Sequence, residues 1–178
     1  MTFNIRYNNP NDGENAWPKR KELVANLVRF HQVDLLGVQE ALKEQMDDLS
    51  QLLPEFDWIG VGRDDGREKG EYSSILFRKE RFALLQQRTF WLSATPEQAG
   101  SVGWDAAITR VCTWGKFKDR QTGKIFFLFM IDYIFVNSRV AVLRHGTIAE
   151  ANDGRYASDH LPVMAEVDLA PLKNIRAR

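Results

Sequence analysis

The sequence is short of cysteine, of long apolar runs and of net charge, and each shortage removes a class of protein. A single cysteine, Cys112, excludes an internal disulfide framework. Its apolar neighbours mark it as buried rather than as a nucleophile. No stretch is long and apolar enough to cross a membrane as a helix. With 24 basic and 24 acidic residues and a pI near 6.8, the chain has no global pull toward nucleic acid, although a local basic groove stays open. Internal repeats, low-complexity tracts and interdomain linkers are missing too, so 178 residues read as one domain able to bury a real core. No signal peptide is read at the start. Met1 lies directly against the first strand, which leaves an earlier start and the compartment open.

What is present reads as strands and helices in a mixed order. Thr2 to Tyr7 alternates like a strand and is broken by Asn-Asn-Pro-Asn-Asp-Gly. Trp17-Pro18 opens a helix with proline in its first turn, and Leu23, Val24, Leu27 and Phe30 form its apolar face. Val33 to Gln39 is a nearly continuous apolar strand. A second helix follows, with Leu42, Met46, Leu49 and Leu53 inward and a stop at Pro54. From there the pattern changes to strands joined by turns: Phe56–Val61, Glu71–Phe77, Phe82–Leu92, Ile108–Trp114, Val140–Ala149 and a closing strand to Leu169. Arg63 to Gly70 reads as a charged, solvated and mobile loop.

Several polar residues stand where strands should end. Asp159-His160, between small flexible residues and the apolar Val163-Met164-Ala165, places an acid and an imidazole at a strand mouth. The acid can bind a metal or orient a partner, and the imidazole can move a proton or donate to a phosphate oxygen. A plain surface turn explains the same residues. Glu40 falls at the end of a buried strand, where a crevice begins, or else charges the first turn of the next helix. Asn4 faces away from Phe3 and Ile5 near a strand end, or closes a turn. Arg110 interrupts an apolar strand, and a buried guanidinium needs a phosphate or carboxylate partner.

Ile125 to Val136 is physically odd. As one twelve-residue strand it would span about 40 Å, roughly twice the usual length. It holds no turn residue, and it is too rich in β-branched and aromatic side chains for a helix. It reads as two strands fused end to end, with the join near Met130.

The ordered segments TFNIRY, GVQEA, GEYSSILF, TFWLS, TRVCTW, IDYIFV and SDHLPV resemble the endonuclease/exonuclease/phosphatase family, in particular its bacterial branch. The resemblance implies an α/β (α+β) four-layer sandwich, with two packed, mostly antiparallel sheets flanked by helices. It also implies divalent-metal-dependent hydrolysis of phosphate esters, with Mg2+ or Mn2+ as the ion. Carried over by motif, Glu40 would ligate the metal and Asp159 would complete the metal side. Asn4 would hold the metal and phosphate region, and Asp132 would orient His160 against the scissile phosphate. Arg110 would reach a substrate phosphate. The types suit the chemistry, because a phosphodiester repels nucleophiles and a hard cation on oxygen ligands neutralises the charge that builds up.

The family's Asn-Thr-His-x-Asp and Gly-Asp-Phe-Asn stretches are absent. The second supplies the acid that orients or activates the attacking water. The implied domain, residues 1–170, is therefore internally shortened near 129–131, and residues 171–178 form a basic tail. Unpaired sheet edges left by the missing strands invite self-association. Three functions follow: a metal-dependent phosphoesterase or nuclease, a catalytically inactive remnant that binds metal or a phosphorylated ligand, and a scaffold. The balanced charge does not favour duplex nucleic acid as the substrate.

Overall fold

The structure, a computed structural model, describes residues 1–130 and 140–169. It contains two helices, α1 (Trp17–Phe30) and α2 (Lys43–Leu52). The first six strands are β1 (Thr2–Asn4), β2 (Leu35–Ala41), β3 (Phe56–Ile59), β4 (Tyr72–Arg78), β5 (Phe82–Trp91) and β6 (Val111–Asp119). The last three are β7 (Ile125–Met130), β8 (Ala141–Thr147) and β9 (Val163–Asp168). Six strands form one sheet in the order β3-β4-β2-β1-β9-β8, and three form a second in the order β5-β6-β7. Among the described residues only β1 and β2 run parallel, and the other strand pairings are antiparallel. The parallel pair follows from the helix between them, since a crossover of this length returns the chain in the same direction.

The larger sheet packs helices on one face and the smaller sheet on the other. Its helix-side core joins Val24, Ala25, Val28, Met46, Leu49 and Leu53 to Phe3, Leu36, Val38 and Leu76. Phe30 departs from the expected face: it ends α1 and is exposed, because the chain turns there through Gln32 in the left-handed region at φ 49°. The layer between the sheets is aromatic, built on Ile75, Phe77, Phe82, Phe117 and Met130, with the Phe77 and Phe117 rings 5.1 Å apart.

Gly37 has a close neighbour in this layer. A Cβ there would fall 1.5 Å from Met130 Sδ, so a side chain at Gly37 would exclude Met130 from the layer. Residues 131–139, with Asp132 and the far side of the expected join, lie outside the described ones. Among the described residues the second helical layer is missing. Ile125, Phe127 and Phe129 of β7 instead present their side chains to solvent on the outer face of the small sheet, where Trp114 stacks on the Phe129 ring at 6.0 Å. The two packed sheets with helices outside are as expected.

Candidate functional site

Strand directions bring the expected site residues to one end of the sandwich. The C-terminal ends of β1 and β2 lie beside the start of β4, where Ala41 pairs with Tyr72, and beside the start of β9, where Thr2 pairs with Val163. The end of β5 and the start of β6 face them from the other sheet, with Trp91 opposite Val111. A cleft of about 630 Å³ opens there, and Asn4, Glu40, Arg110 and His160 all line it.

Glu40 is positioned by distorted backbone. The β2–β4 register shifts between Val38 and Ala41, and Glu40 within that bulge has φ 60°. A non-glycine residue in the left-handed region costs about 1–3 kcal/mol and persists only where its surroundings fix it. Bulges re-aim side chains in this way, and so Glu40 belongs to the last turn of pleat in β2 rather than following the strand. Its Oε1 accepts from Asn4 Nδ2 at 2.8 Å. Asn4 Oδ1 in turn accepts from the Arg6 backbone N–H at 2.9 Å, which fixes the amide's orientation.

The Ser158–His160 turn is bolted to β1. Ser158 Oγ donates to the Asn4 carbonyl at 2.8 Å, and the His160 backbone N–H donates to Ser158 Oγ at 3.3 Å. His160 reaches the cleft with its ring about half exposed. Asp159 points elsewhere: it is not among the cleft-lining residues, and its Oδ2 lies 3.3 Å from Arg6 Nη1. The 4.0 Å between Asp159 Oδ1 and His160 Nε2 is too long for a hydrogen bond. The expected Asp132–His160 bond lies outside the described residues.

Arg110 corrects an expectation. It is exposed and precedes β6, which begins at Val111, so it is not a buried guanidinium within a strand. It nevertheless stands on the cleft wall. The Arg63–Gly70 loop also differs, being densely hydrogen-bonded. Asp65 Oδ1 accepts from the Arg67 and Lys69 backbone N–H groups at 2.8 and 3.0 Å, and the Tyr72 hydroxyl donates to the Arg67 carbonyl at 2.9 Å.

Four charged residues with no role assigned from sequence complete the site. Arg6 binds both oxygens of Asp12 at 2.8 and 3.0 Å; this bond, helped by Asp159, lifts its guanidinium above the ordinary range. Arg63 grips Glu71 in a two-pronged pair at 2.7 and 3.2 Å. Burial pushes the Glu71 carboxyl upward from 4.5, nearby Glu40 adds to this, and Arg63 and Arg110 oppose it. Arg20, only 2% exposed, donates to the carbonyls of Asn15, Ile5, Ala157 and Arg6, and burial lowers its pKa. It ties α1, the end of β1 and the turn before His160 together. Arg6 and Glu71 lie inside recognisable motifs, whereas Arg20 hides in a Lys-Arg-Lys run that reads as solvated.

The described residues bring no three carboxylate, histidine or cysteine side chains together as a metal cage. What they offer is the Glu40 carboxylate, held by an amide in an open cleft whose other lining carboxylate, Glu71, is paired with Arg63. That donor set fits a hard cation that keeps several water ligands, and does not fit a closed nitrogen or sulfur site.

Two sheets face to face, with helices on the outer face of the larger one, define an α/β sandwich. No family model matches this sequence. Among solved structures, the chain is similar to an endonuclease/exonuclease/phosphatase from Bacteroides vulgatus, with 49% identity and a TM-score of 0.72, over 72% of this chain and 49% of that one. It is also similar to a mannosyl-6-phosphatase from Bacteroides thetaiotaomicron, with 42% identity and a TM-score of 0.70, over 72% and 48%. The chain belongs to the endonuclease/exonuclease/phosphatase family. It spans about half the length of the Bacteroides structures it matches. A conserved Enterococcus faecalis protein described as functionally unknown shares the fold over 94% of this chain and 98% of its own, at 22% identity and a TM-score of 0.86. A fold of this reduced extent therefore recurs in a second protein.

Proposed function

We propose that the chain is a divalent-metal-dependent phosphoesterase whose reacting phosphate sits between Glu40 and His160. The observation that carries this reading is the 2.8 Å bond from Asn4 to Glu40 at the floor of the cleft, with His160 anchored two strands away through Ser158. Glu40 would hold the ion, with Mg2+ favoured over Mn2+ by an open site with so few protein ligands. When bound, the metal supplies charge neutralisation at the phosphate oxygens. Asn4 fixes the Glu40 rotamer, and His160 donates to a phosphate oxygen. Arg110 provides an exposed guanidinium to a second oxygen of the substrate. Asp159 acts through Arg6 on the site's field, and Asp132 is assigned to orienting His160.

A second reading, a binding remnant without turnover, draws support from the absence of a Gly-Asp-Phe-Asn stretch in the sequence. Losing a general base costs about 10²–10⁴ in rate. The deciding assay is hydrolysis of bis(p-nitrophenyl) phosphate with and without Mg2+, against Glu40→Gln and His160→Ala. Metal-dependent turnover lost in both variants supports the enzyme. Mg2+ binding that needs Glu40, without turnover, supports the remnant.

We further propose that the apolar outer face of β7 mediates self-association. Ile125, Phe127 and Phe129 form a stripe that a monomer would leave in water.

A further inference from the structure

An Asp-Gly step is a chemically weak point in a chain. The glycine backbone nitrogen can attack the aspartyl side-chain carbonyl, because glycine carries no Cβ to obstruct the approach. A cyclic succinimide forms as one water leaves. Water then reopens the ring at either carbonyl. One opening restores aspartate, and the other leaves the backbone running through the side-chain carbon, as isoaspartate. The step needs a carboxyl that can take up a proton, so that water can leave, and a glycine nitrogen that is not engaged elsewhere.

The sequence holds such steps at Asp12-Gly13, Asp65-Gly66 and Asp153-Gly154. Two of them are closed by the fold. Both oxygens of Asp12 are held by Arg6 at 2.8 and 3.0 Å, and this bonding keeps the carboxyl below its usual range. Asp65 Oδ1 accepts from the Lys69 and Arg67 backbone N–H groups at 3.0 and 2.8 Å, which lowers its pKa as well. The Gly66 nitrogen that would attack it donates instead to the Gly62 carbonyl at 2.9 Å.

The third is open. Asp153 is exposed, and among the described residues neither its carboxylate nor the Gly154 nitrogen has a hydrogen-bond partner. No atom lies within 4 Å of where a Gly154 Cβ would stand. The pair forms the corners of a tight turn closed by Asn152 and Arg155, whose backbone groups exchange bonds at 2.9 and 3.0 Å. Both corners are left-handed, at φ 50° and 75°, and that geometry alone explains the choice of Asp-Gly. The reactivity comes with it.

We propose that Asp153 is the site at which this protein isomerises to isoaspartate, a modification placed in the turn that leads to His160. Isoaspartate adds one carbon to the backbone of the turn, so the two bonds between Asn152 and Arg155 cannot both persist. Arg155 straps this segment to the start of α1, donating to the Glu14 carbonyl and, at 3.5 Å, to that of Lys19. Beyond it the Ala157 carbonyl accepts from Arg20 at 3.0 Å, and Ser158 Oγ donates to the Asn4 carbonyl at 2.8 Å. Isomerisation therefore loosens the strap first and then the segment carrying His160. None of this depends on phosphoester hydrolysis.

The test is peptide mapping of the full chain after prolonged warm incubation at neutral pH. An isoaspartate-specific carboxyl methyltransferase supplies the label, since isoaspartate and aspartate have the same mass. Most of the label is expected in the peptide containing Asp153, with little at Asp12 or Asp65. Asp153→Asn keeps the turn and should convert faster, because an amide loses ammonia without first taking up a proton as a carboxylate must. Asp153→Glu should stay unlabelled, since it would have to close a larger ring. Hydrogen exchange of the amides of residues 155–160 should rise in aged wild type and stay unchanged in aged Asp153→Glu. Aged protein without label would overturn the proposal, as would label spread evenly over the three steps or concentrated at Asp12 or Asp65. Label at Asp153 with no rise in exchange would overturn the role of the strap.

Discussion

Asn4 Nδ2 donates to Glu40 Oε1 at 2.8 Å, linking the ends of the two parallel strands β1 and β2. A partner that holds a ligating carboxylate typically contributes 10–100-fold in metal affinity. Asn4→Ala should therefore weaken Mg2+ binding by about that factor while leaving the fold intact. Isothermal titration checks it. Unchanged affinity would mean that the amide serves only β1.

The left-handed backbone at Glu40 can be separated from its carboxylate. Glu40→Gly and Glu40→Ala both delete the acid, but only glycine accepts φ 60° freely. Glu40→Gly should be more stable than Glu40→Ala by about 1 kcal/mol in urea unfolding. Equal stabilities would show that the bulge relaxes once the side chain is gone.

Arg20 is predicted to be the most sensitive surface-type residue in the chain. Four carbonyl oxygens depend on its guanidinium, in a setting only 2% exposed. Removing it strands buried acceptors, so Arg20→Met should cost about 3 kcal/mol or more. The Ala157 contact also couples it to His160. Near-native stability in denaturant melts would mean that water replaces the guanidinium.

Legibility follows from how local the determinants are. The helices, most strands and the cleft residues Asn4, Glu40 and His160 were readable because periodicity and motif both marked them. Arg20 was not, since nothing local distinguishes the middle of Lys19-Arg20-Lys21; beyond nearby Asn15, its carbonyl partners come from the end of β1 and the turn before His160. Arg110 misled for the opposite reason. Its apolar neighbours Ile108 and Val111 imitate a strand interior, yet β6 starts only at Val111 and Ile108 is itself exposed. The hydrogen bonds by which Asp65 and Gly66 organise the Arg63–Gly70 loop were not legible, because composition does not reveal them.

Glu71 makes a signed pH prediction. Its folded pKa lies above the ordinary 4.5 because burial penalises the charged form. Between those two values the folded state holds the proton more tightly than the unfolded chain, so this contribution is full below 4.5 and is lost as pH rises through the folded value. Glu71→Gln cannot titrate and should lack that decline. Unfolding free energies from pH 4 to pH 7 for both proteins test this as a difference of slopes. Parallel curves would show that the Arg63 pair cancels the burial effect.

The β7 face offers the sharpest test of incompleteness. Phe127 and Phe129 are 53% and 47% exposed, on the outer surface of a strand that ends its sheet. Burying a fully exposed ring contributes about 1.5–3 kcal/mol, and these rings are already about half covered, so the stripe supplies a few kcal/mol toward association. Lys116 already lies 5.6 Å from the Phe127 ring, and a second cation in place of that ring would repel it. Phe127→Lys should therefore shift sedimentation toward monomer, with a modest fall in melting temperature from its cross-strand repulsion of Lys116. A wild-type protein that sediments as a monomer at about 100 micromolar, or a variant that associates equally well, would show that this aromatic stripe tolerates water and is no interface.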